Sequence, residues 1–563
     1  MRWRIAQSIT THIHAPIWVA AIPALSSADR NREPLDILKE TVKSVRPLVF
    51  WPPVILLTAA LCFSLVDFDE FHSSVTAANR WVLQHFDWLF SYASFAAVML
   101  TIWVAFSPLG AVRIGGPDAK PILSRWNWFS ITLCTTIAIG ILFWGSAEPM
   151  FHIKAPPAFS GSDPYTEEAS RFALSSMFMH WTFTPYAIYT VPALAFALAH
   201  YNLGRPYSLS GPLSLIFGKA ATGRAGAIID AVGLYALVAG VAASLGAGVM
   251  TLSGGVESVA GFSDSVWLRL VVTIAIVALF VVSSISGLQR GIRILSDINT
   301  RFFLLIALFV LAAGPTWQIL MLGAESAVEY VAKFIPRSLA LGERAGADWT
   351  HDWTVFYFAN WLAWAPITAL FLGRIAMGYT VREFMLFNLA APALFGALWM
   401  TVFGGAAIGI NAEDGNTLVA ALDARGPEAV IYVLFEALPF SQIIIGLFIL
   451  LTFISFVTAM DSNTHSISNL CLKDIGPDQK RPRTDRWVKI FWGVLIGAVA
   501  FIMTSTTGID GVRMLSNLGG LPGLFILIAM GVVILAMRIN WIDEVRAAAQ
   551  PASAIKTASK KVG

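Results

Sequence analysis

Charge is what this sequence has least of. Asp, Glu, Lys and Arg make up 13% of its 563 residues, whereas a soluble domain carries roughly 25% to keep its surface wet. That shortage excludes a soluble enzyme, a disordered scaffold and a nucleic-acid binder. Cysteine is scarce as well. Cys62, Cys134 and Cys471 are too few and too scattered for a disulfide framework or a thiolate metal site, and two of them lie in apolar runs, where a cysteine acts as a small hydrophobe. The nine histidines show no His-x-x-x-His spacing, so nothing supports a metalloenzyme. No catalytic residues and no cofactor are expected.

Apolar residues take the place of charge. They form 56% of the chain, with 38 Phe and 20 Trp, and the mean hydropathy is +0.68. Runs of about 20 apolar residues make spanning helices, whereas barrel strands alternate and are half as long. The chain is therefore read as an all-α, polytopic membrane protein. Twelve spans are expected, near residues 47–66, 89–109, 126–147, 172–200, 227–250, 266–286, 302–322, 353–378, 384–410, 439–461, 488–508 and 516–537. They make a transmembrane domain over 47–537, with tails at 1–46 and 538–563. Lys and Arg orient it. With a cytoplasmic N-terminus, 29 of the 38 fall on the cytoplasmic side and 9 on the other, so both termini are expected in the cytoplasm. The stretch His14–Leu25 follows Arg2 and Arg4 like a signal peptide, but it carries two prolines and is too short to span.

A channel, a membrane enzyme and a transporter remain. Neither a repeated pore loop nor a charged sensor helix is found. The apolar segments hold almost no charge for an enzyme: Asp461 lies near the end of span ten, and Glu148 and Asp230 lie at span edges. Transporters carry Gly- or Pro-broken spans at matching positions. Span three has Gly140, Gly145 and Pro149, and span eight has Pro366 and Gly373. The two are five spans apart, an odd offset, so if the halves are copies the second is inverted. Repeats over about 126–322 and 353–537 are expected.

Two aromatic stretches sit mid-span, although Trp and Tyr ordinarily collect at membrane interfaces. Span four reads Met179-His180-Trp181-Thr182-Phe183-Thr184-Pro185-Tyr186-Ala187-Ile188-Tyr189, and span eight holds Trp361 and Trp364 on one face. Ring faces can cage a quaternary ammonium or sulfonium group, which has no hydrogen-bond donors, at about 0.5–2 kcal/mol per ring when desolvated. Packed helix interiors use the same residues.

The sequence resembles the betaine/carnitine/choline transporter family from about residue 47 to 535. Its most specific piece is Asp352-Trp353-Thr354-Val355-Phe356-Tyr357-Phe358-Ala359-Asn360-Trp361, in which Phe358 and Asn360 replace two tryptophans of the family pattern. Phe143-Trp144-Gly145-Ser146-Ala147-Glu148-Pro149, Ala243-Ser244-Leu245-Gly246, Ser286-Gly287-Leu288-Gln289-Arg290-Gly291-Ile292 and Thr458-Ala459-Met460-Asp461-Ser462 match in order. The resemblance implies the inverted-repeat fold of sodium-coupled amino-acid transporters, in a bacterial-type inner membrane. It implies a substrate cage of Trp181, Tyr186, Tyr189 and Trp361, with Trp364 lower on the cytoplasmic path and Asn360 as a polar amide beside the cage.

A buried cation needs a carboxylate to offset its desolvation, and choline-type members can place an Asp where Gly140 stands. With no carboxylate in the inferred cage, a zwitterion such as glycine betaine, or a sulfonium analogue, is expected rather than choline. The resemblance also implies a coupling sodium held by oxygens of Cys134, Ile137, Ser455 and Thr458, although Ala459 removes one hydroxyl of the family's pair. Proton coupling, a choline or carnitine carrier, and an uncoupled onium receptor or channel stay open. The segment Glu325–Leu339 resembles the family's periplasmic helix and implies a homotrimer. The C-terminal tail, with Ala-rich stretches and Pro551, is unlike the long basic extensions of osmotically regulated relatives.

Overall fold

The computed structural model describes residues 44–136, 140–262, 264–286, 289–339, 347–473 and 482–539. The two expected tails lie outside these but for their innermost residues. Among the described residues, eleven helices are long and apolar enough to cross a membrane, and one bent pair, taken as one span, makes a twelfth. In chain order they are span 1 Pro47–Val66, span 2 Phe68–Phe106, span 3 Arg125–Thr136 with Gly140–Lys154, span 4 Glu167–Asn202, span 5 Gly223–Ala260 and span 6 Val266–Ile285. They continue with span 7 Arg293–Ala313, span 8 Asp348–Ile375, span 9 Val381–Glu413, span 10 Ser441–Cys471, span 11 Asp485–Thr507 and span 12 Ile509–Met537.

Each expected segment overlaps one of these, and of the boundaries that move, two do so for reasons the sequence contains. Span 2 starts at Phe68 rather than near 89. Its first turns carry Asp69 and Glu70 and do not register as apolar, but the Asp67 side chain caps them by accepting from the Glu70 N–H. Span 7 ends at Ala313 rather than near 322. Gly314-Pro315 stops it, and the chain restarts as a separate helix, Thr316–Ser338. That helix buries Ile319, Gly323, Ser326 and Tyr330 on one face and exposes Trp317, Val328, Val331 and Ile335 on the other.

Spans 4 and 8 form the interior. Of their apolar stretches, 94% and 89% of residues are buried, against 22% in span 6. Span 3 bends by 58° between its two helices, as its glycines predict. Span 8 does not break: a single π-helical turn, His351–Val355, leads into an unbroken helix Phe356–Ile375. Pro366 has no N–H for the carbonyl of Leu362, four residues earlier. Gly523 of span 12 packs directly against that carbonyl, and Gly520 against the one on Ala359. The close glycine backbone covers the freed oxygen with weak C–H contacts, so the helix continues. The unforeseen break lies in span 4. Thr182, at φ −115° and ψ −118°, separates helices Glu167–Trp181 and Phe183–Ala197.

Candidate functional site

The break at Thr182 organises the site. Pro185 cannot donate to the Trp181 carbonyl, and Gly396 of span 9 rests against that oxygen, where a Cβ would come within 2.5 Å. One residue earlier, the His180 carbonyl accepts the Trp361 indole N–H of span 8 at 2.9 Å. The two tryptophans meet edge to face, centroids 5.2 Å apart and planes at 89°. Tyr189 meets Trp361 at 5.9 Å and 76°. On the other side of Trp181 lies Tyr357, at 5.2 Å and 68°. Span 3 resumes at Gly140, where a Cβ would stand 2.8 Å from Trp181 Cη2, so the indole occupies the space of the missing side chain. Tyr186 is buried with its hydroxyl against Thr136. The Tyr189 hydroxyl is buried and has no hydrogen-bond partner among the described residues.

The other expected substrate contacts lie apart from this cluster. Trp364 sits one turn below Trp361, packs on Gly240 and donates to Ser244 Oγ of span 5 at 3.2 Å. Asn360 turns to span 12, where its Oδ1 accepts from Ser516 at 3.0 Å.

The candidate sodium ligands divide. The Ser455 hydroxyl pairs with Asn299 of span 7, at 3.0 Å from Nδ2, and the Cys134 thiol faces Ser296, Asn299 and Thr300. Ile137 lies outside the described residues. The Thr458 hydroxyl donates to the Ile454 carbonyl at 2.7 Å. Its own carbonyl accepts from Ser462, which in turn accepts from Thr135 of span 3 at 3.2 Å. Thr135 and Ser462 thus bring two hard oxygens between spans 3 and 10 that are not among the expected ligands.

The largest correction concerns Glu148. It lies at no edge: it is wholly buried and touches the tryptophan wall. Its Oε2 accepts the Trp181 indole N–H at 2.8 Å and the Tyr357 hydroxyl at 2.6 Å. Its Oε1 lies 2.6 Å from His180 Nδ1 and 3.4 Å from His152 Nε2. The expectation that no carboxylate adjoins the cage therefore fails. The family motif carried Glu148, and His152 stands one turn on in the same helix, but the other partners lie on spans 4 and 8, where no local pattern revealed them.

Glu148, His152 and His180 place three ligand-type atoms within 4.8 Å of one another, which raises the question of a metal. Trp349 Nε1 donates to His152 Nδ1 at 3.3 Å, so that nitrogen is an acceptor and the imidazole proton sits on Nε2, pointing at Glu148. A metal there would need the Nε2 lone pair. The donor set fits a hydrogen-bonded carboxylate, not a metal centre.

The sequence profile of the betaine/carnitine/choline family of transporters matches residues 48–540. The betaine/ectoine transporter LcoP of Corynebacterium glutamicum is 30% identical over 522 residues, covering 91% of this chain and 79% of that protein. The glycine betaine transporter OpuD of Bacillus subtilis is 29% identical over 487 residues, covering 86% and 92%. Glycine betaine transporter 1 of Vibrio parahaemolyticus is 33% identical over 479 residues, covering 82% and 88%.

Proposed function

This chain belongs to the betaine/carnitine/choline family of transporters, and from that premise we propose that it imports a small onium zwitterion of the glycine betaine type by ion-coupled alternating access. The observation that carries the reading is the group Trp181, Trp361 and Tyr189, set edge to face inside two deeply buried spans and beside the bend of span 3. The rings attract the onium group at about 0.5–2 kcal/mol each. The unpartnered Tyr189 hydroxyl donates to the zwitterion's carboxylate. Tyr186 closes the cage, Trp364 marks the route towards the cytoplasm, and Asn360 acts through its bond to Ser516 rather than on the substrate.

Sodium is the coupling ion in this reading, held by oxygens of Thr135, Thr458 and Ser462 between spans 3 and 10. The repeats are 126–322 and 353–537, both termini face the cytoplasm of a bacterial inner membrane, and the exposed apolar face of Thr316–Ser338 joins three copies. A second reading, a choline carrier, is favoured by Glu148, which supplies the counter-charge a net cation needs.

Radiolabelled glycine betaine uptake into proteoliposomes, under an inward sodium gradient or with potassium in place of sodium, tests the proposal. Sodium-dependent uptake that is lost in Trp361→Ala is the expected result. Uptake indifferent to sodium sinks the sodium assignment, and uptake of choline alone favours the second reading.

A further inference from the structure

We propose that Glu148 is the buried counter-charge of the onium site and that His180, by taking up a proton, switches it off. The inference rests on the cage reading above and adds a charge to it. Glu148 accepts from the rim of two rings at once, Trp181 Nε1–H and Tyr357 O–H, both on Oε2. A carboxylate on a ring's N–H or O–H pushes electron density into the ring, which strengthens its attraction for a cation. The anion therefore acts on the onium group through the rings that separate them.

His180 controls that anion. Its Nδ1 faces Glu148 Oε1, and its Nε2 faces Thr354 Oγ1 at 3.1 Å. A hydroxyl both donates and accepts, so Thr354 serves either state. It donates to neutral Nε2, and it turns to accept once a proton from water has bound there. His152 has no such freedom, because Trp349 already donates to its second nitrogen. A cavity of about 20 Å³, enough for one water, is lined by His180, Thr354, Ser176, Arg337 and Phe159, and Phe159 is 39% exposed. The cavity places a water site beside His180 and Thr354, outside the ring cluster.

The charged and titratable neighbours are few. Span 3 presents Glu148 and His152, and span 8 presents Tyr357, stacked on His180 at 4.6 Å. The helix Thr316–Ser338 presents Arg337, paired with Glu329. Arg513 of span 12 lies over Trp353, one turn above Tyr357. With His180 protonated, Glu148 is spent in an ion pair, and onium affinity falls. A net cation such as choline feels the loss more than a zwitterion, which carries its own counter-charge.

The full-length protein in nanodiscs is titrated with radiolabelled glycine betaine and with choline at about pH 8 and about pH 5.5. Wild-type affinity is expected to fall by about fivefold or more at the acid end, with a larger drop for choline. His180→Gln is expected to hold the alkaline affinity at both pH values. Glu148→Gln, which still accepts from Trp181 and Tyr357, is expected to bind weakly and without pH dependence. His351→Gln, whose residue pairs with Asp87 away from the site, serves as control and keeps the slope. A slope that survives His180→Gln, or Glu148→Gln with wild-type affinity, overturns the proposal while leaving the cage intact. If Glu148→Gln does not fold, His180→Gln alone decides. Absence of binding by wild type at every pH overturns the cage reading and the counter-charge with it.

Discussion

Trp361 donates its indole N–H to the backbone carbonyl of His180 at 2.9 Å, so span 8 is pinned to span 4 two residues before its break at Thr182. The bond fixes the tilt of the indole against Trp181 and Tyr189. Trp361→Ala removes both the ring and the pin, and onium uptake is expected to fall by more than about tenfold, the equivalent of roughly 1.4 kcal/mol or more for a desolvated ring. Trp361→Phe keeps a ring face but loses the N–H, and an intermediate rate is expected. Initial-rate uptake with matched protein amounts per liposome measures both.

The Tyr189 hydroxyl is buried without a partner among the described residues, which costs about 1–3 kcal/mol unless a ligand satisfies it. If that ligand is the carboxylate of a zwitterion, Tyr189→Phe separates substrates by their anionic end. The affinity for glycine betaine is expected to drop by roughly tenfold, about the worth of one charge-assisted bond, while choline, which has no carboxylate, binds as before. Equal losses for both would place the hydroxyl away from the substrate.

Hydropathy alone located all twelve spans, because a membrane core demands continuous apolar helices whatever the fold. It failed where helix and apolarity part company. Residues Phe68 to Trp88 are helical yet mixed in polarity, and the segment counted through 322 crosses Pro315. Proline also misled in both directions. Pro366 does not break span 8, because Gly523, from a distant part of the chain, covers the carbonyl it frees. Pro185 marks the break in span 4, and this was legible in Thr184-Pro185 but passed over. The cage rings were visible as side chains on two spans. Glu148 was visible only as a motif letter: its bonds to His180 and Tyr357 join positions 32 and 209 residues apart, and no local pattern carries such a pairing.

The contact between spans 8 and 12 gives a stability test. A Cβ at Gly523 would overlap the Leu362 carbonyl, whereas one at Gly446 of span 10 meets nothing within 4 Å. Gly523→Ala forces the two helices apart and is expected to destabilise by about 1–3 kcal/mol, the usual cost of overpacking. Gly446→Ala is expected to be neutral or slightly stabilising, since alanine favours a helix. Thermal unfolding of the detergent-solubilised proteins, followed by light scattering or thiol labelling, ranks the two. A Gly523→Ala protein as stable as wild type would contradict the close packing that keeps span 8 unbroken.

At the opposite end of the bundle, Arg46 binds Asp230 of span 5 at 2.6 Å and the Leu470 carbonyl of span 10 at 3.0 Å, while its own N–H donates to the Cys471 carbonyl. Asp230 is fully buried, and its other oxygen accepts the N–H groups of Leu209 and Ser210 at 3.0 and 3.3 Å. Removing one partner of such a pair strands the other charge, at a typical cost of 3–5 kcal/mol. The Arg46 side chain is 28% exposed, so water softens the loss, and Arg46→Met is expected to cost about 3 kcal/mol, at the low end of that range. Asp230→Asn keeps an acceptor for the two backbone donors and is expected to cost less. The double variant leaves no stranded anion, so it is expected to be more stable than Arg46→Met alone. Melting temperatures of the three proteins and wild type form a double-mutant cycle. If the double variant melts no higher than Arg46→Met, the penalty comes from lost packing of the arginine stem rather than from an unpaired Asp230.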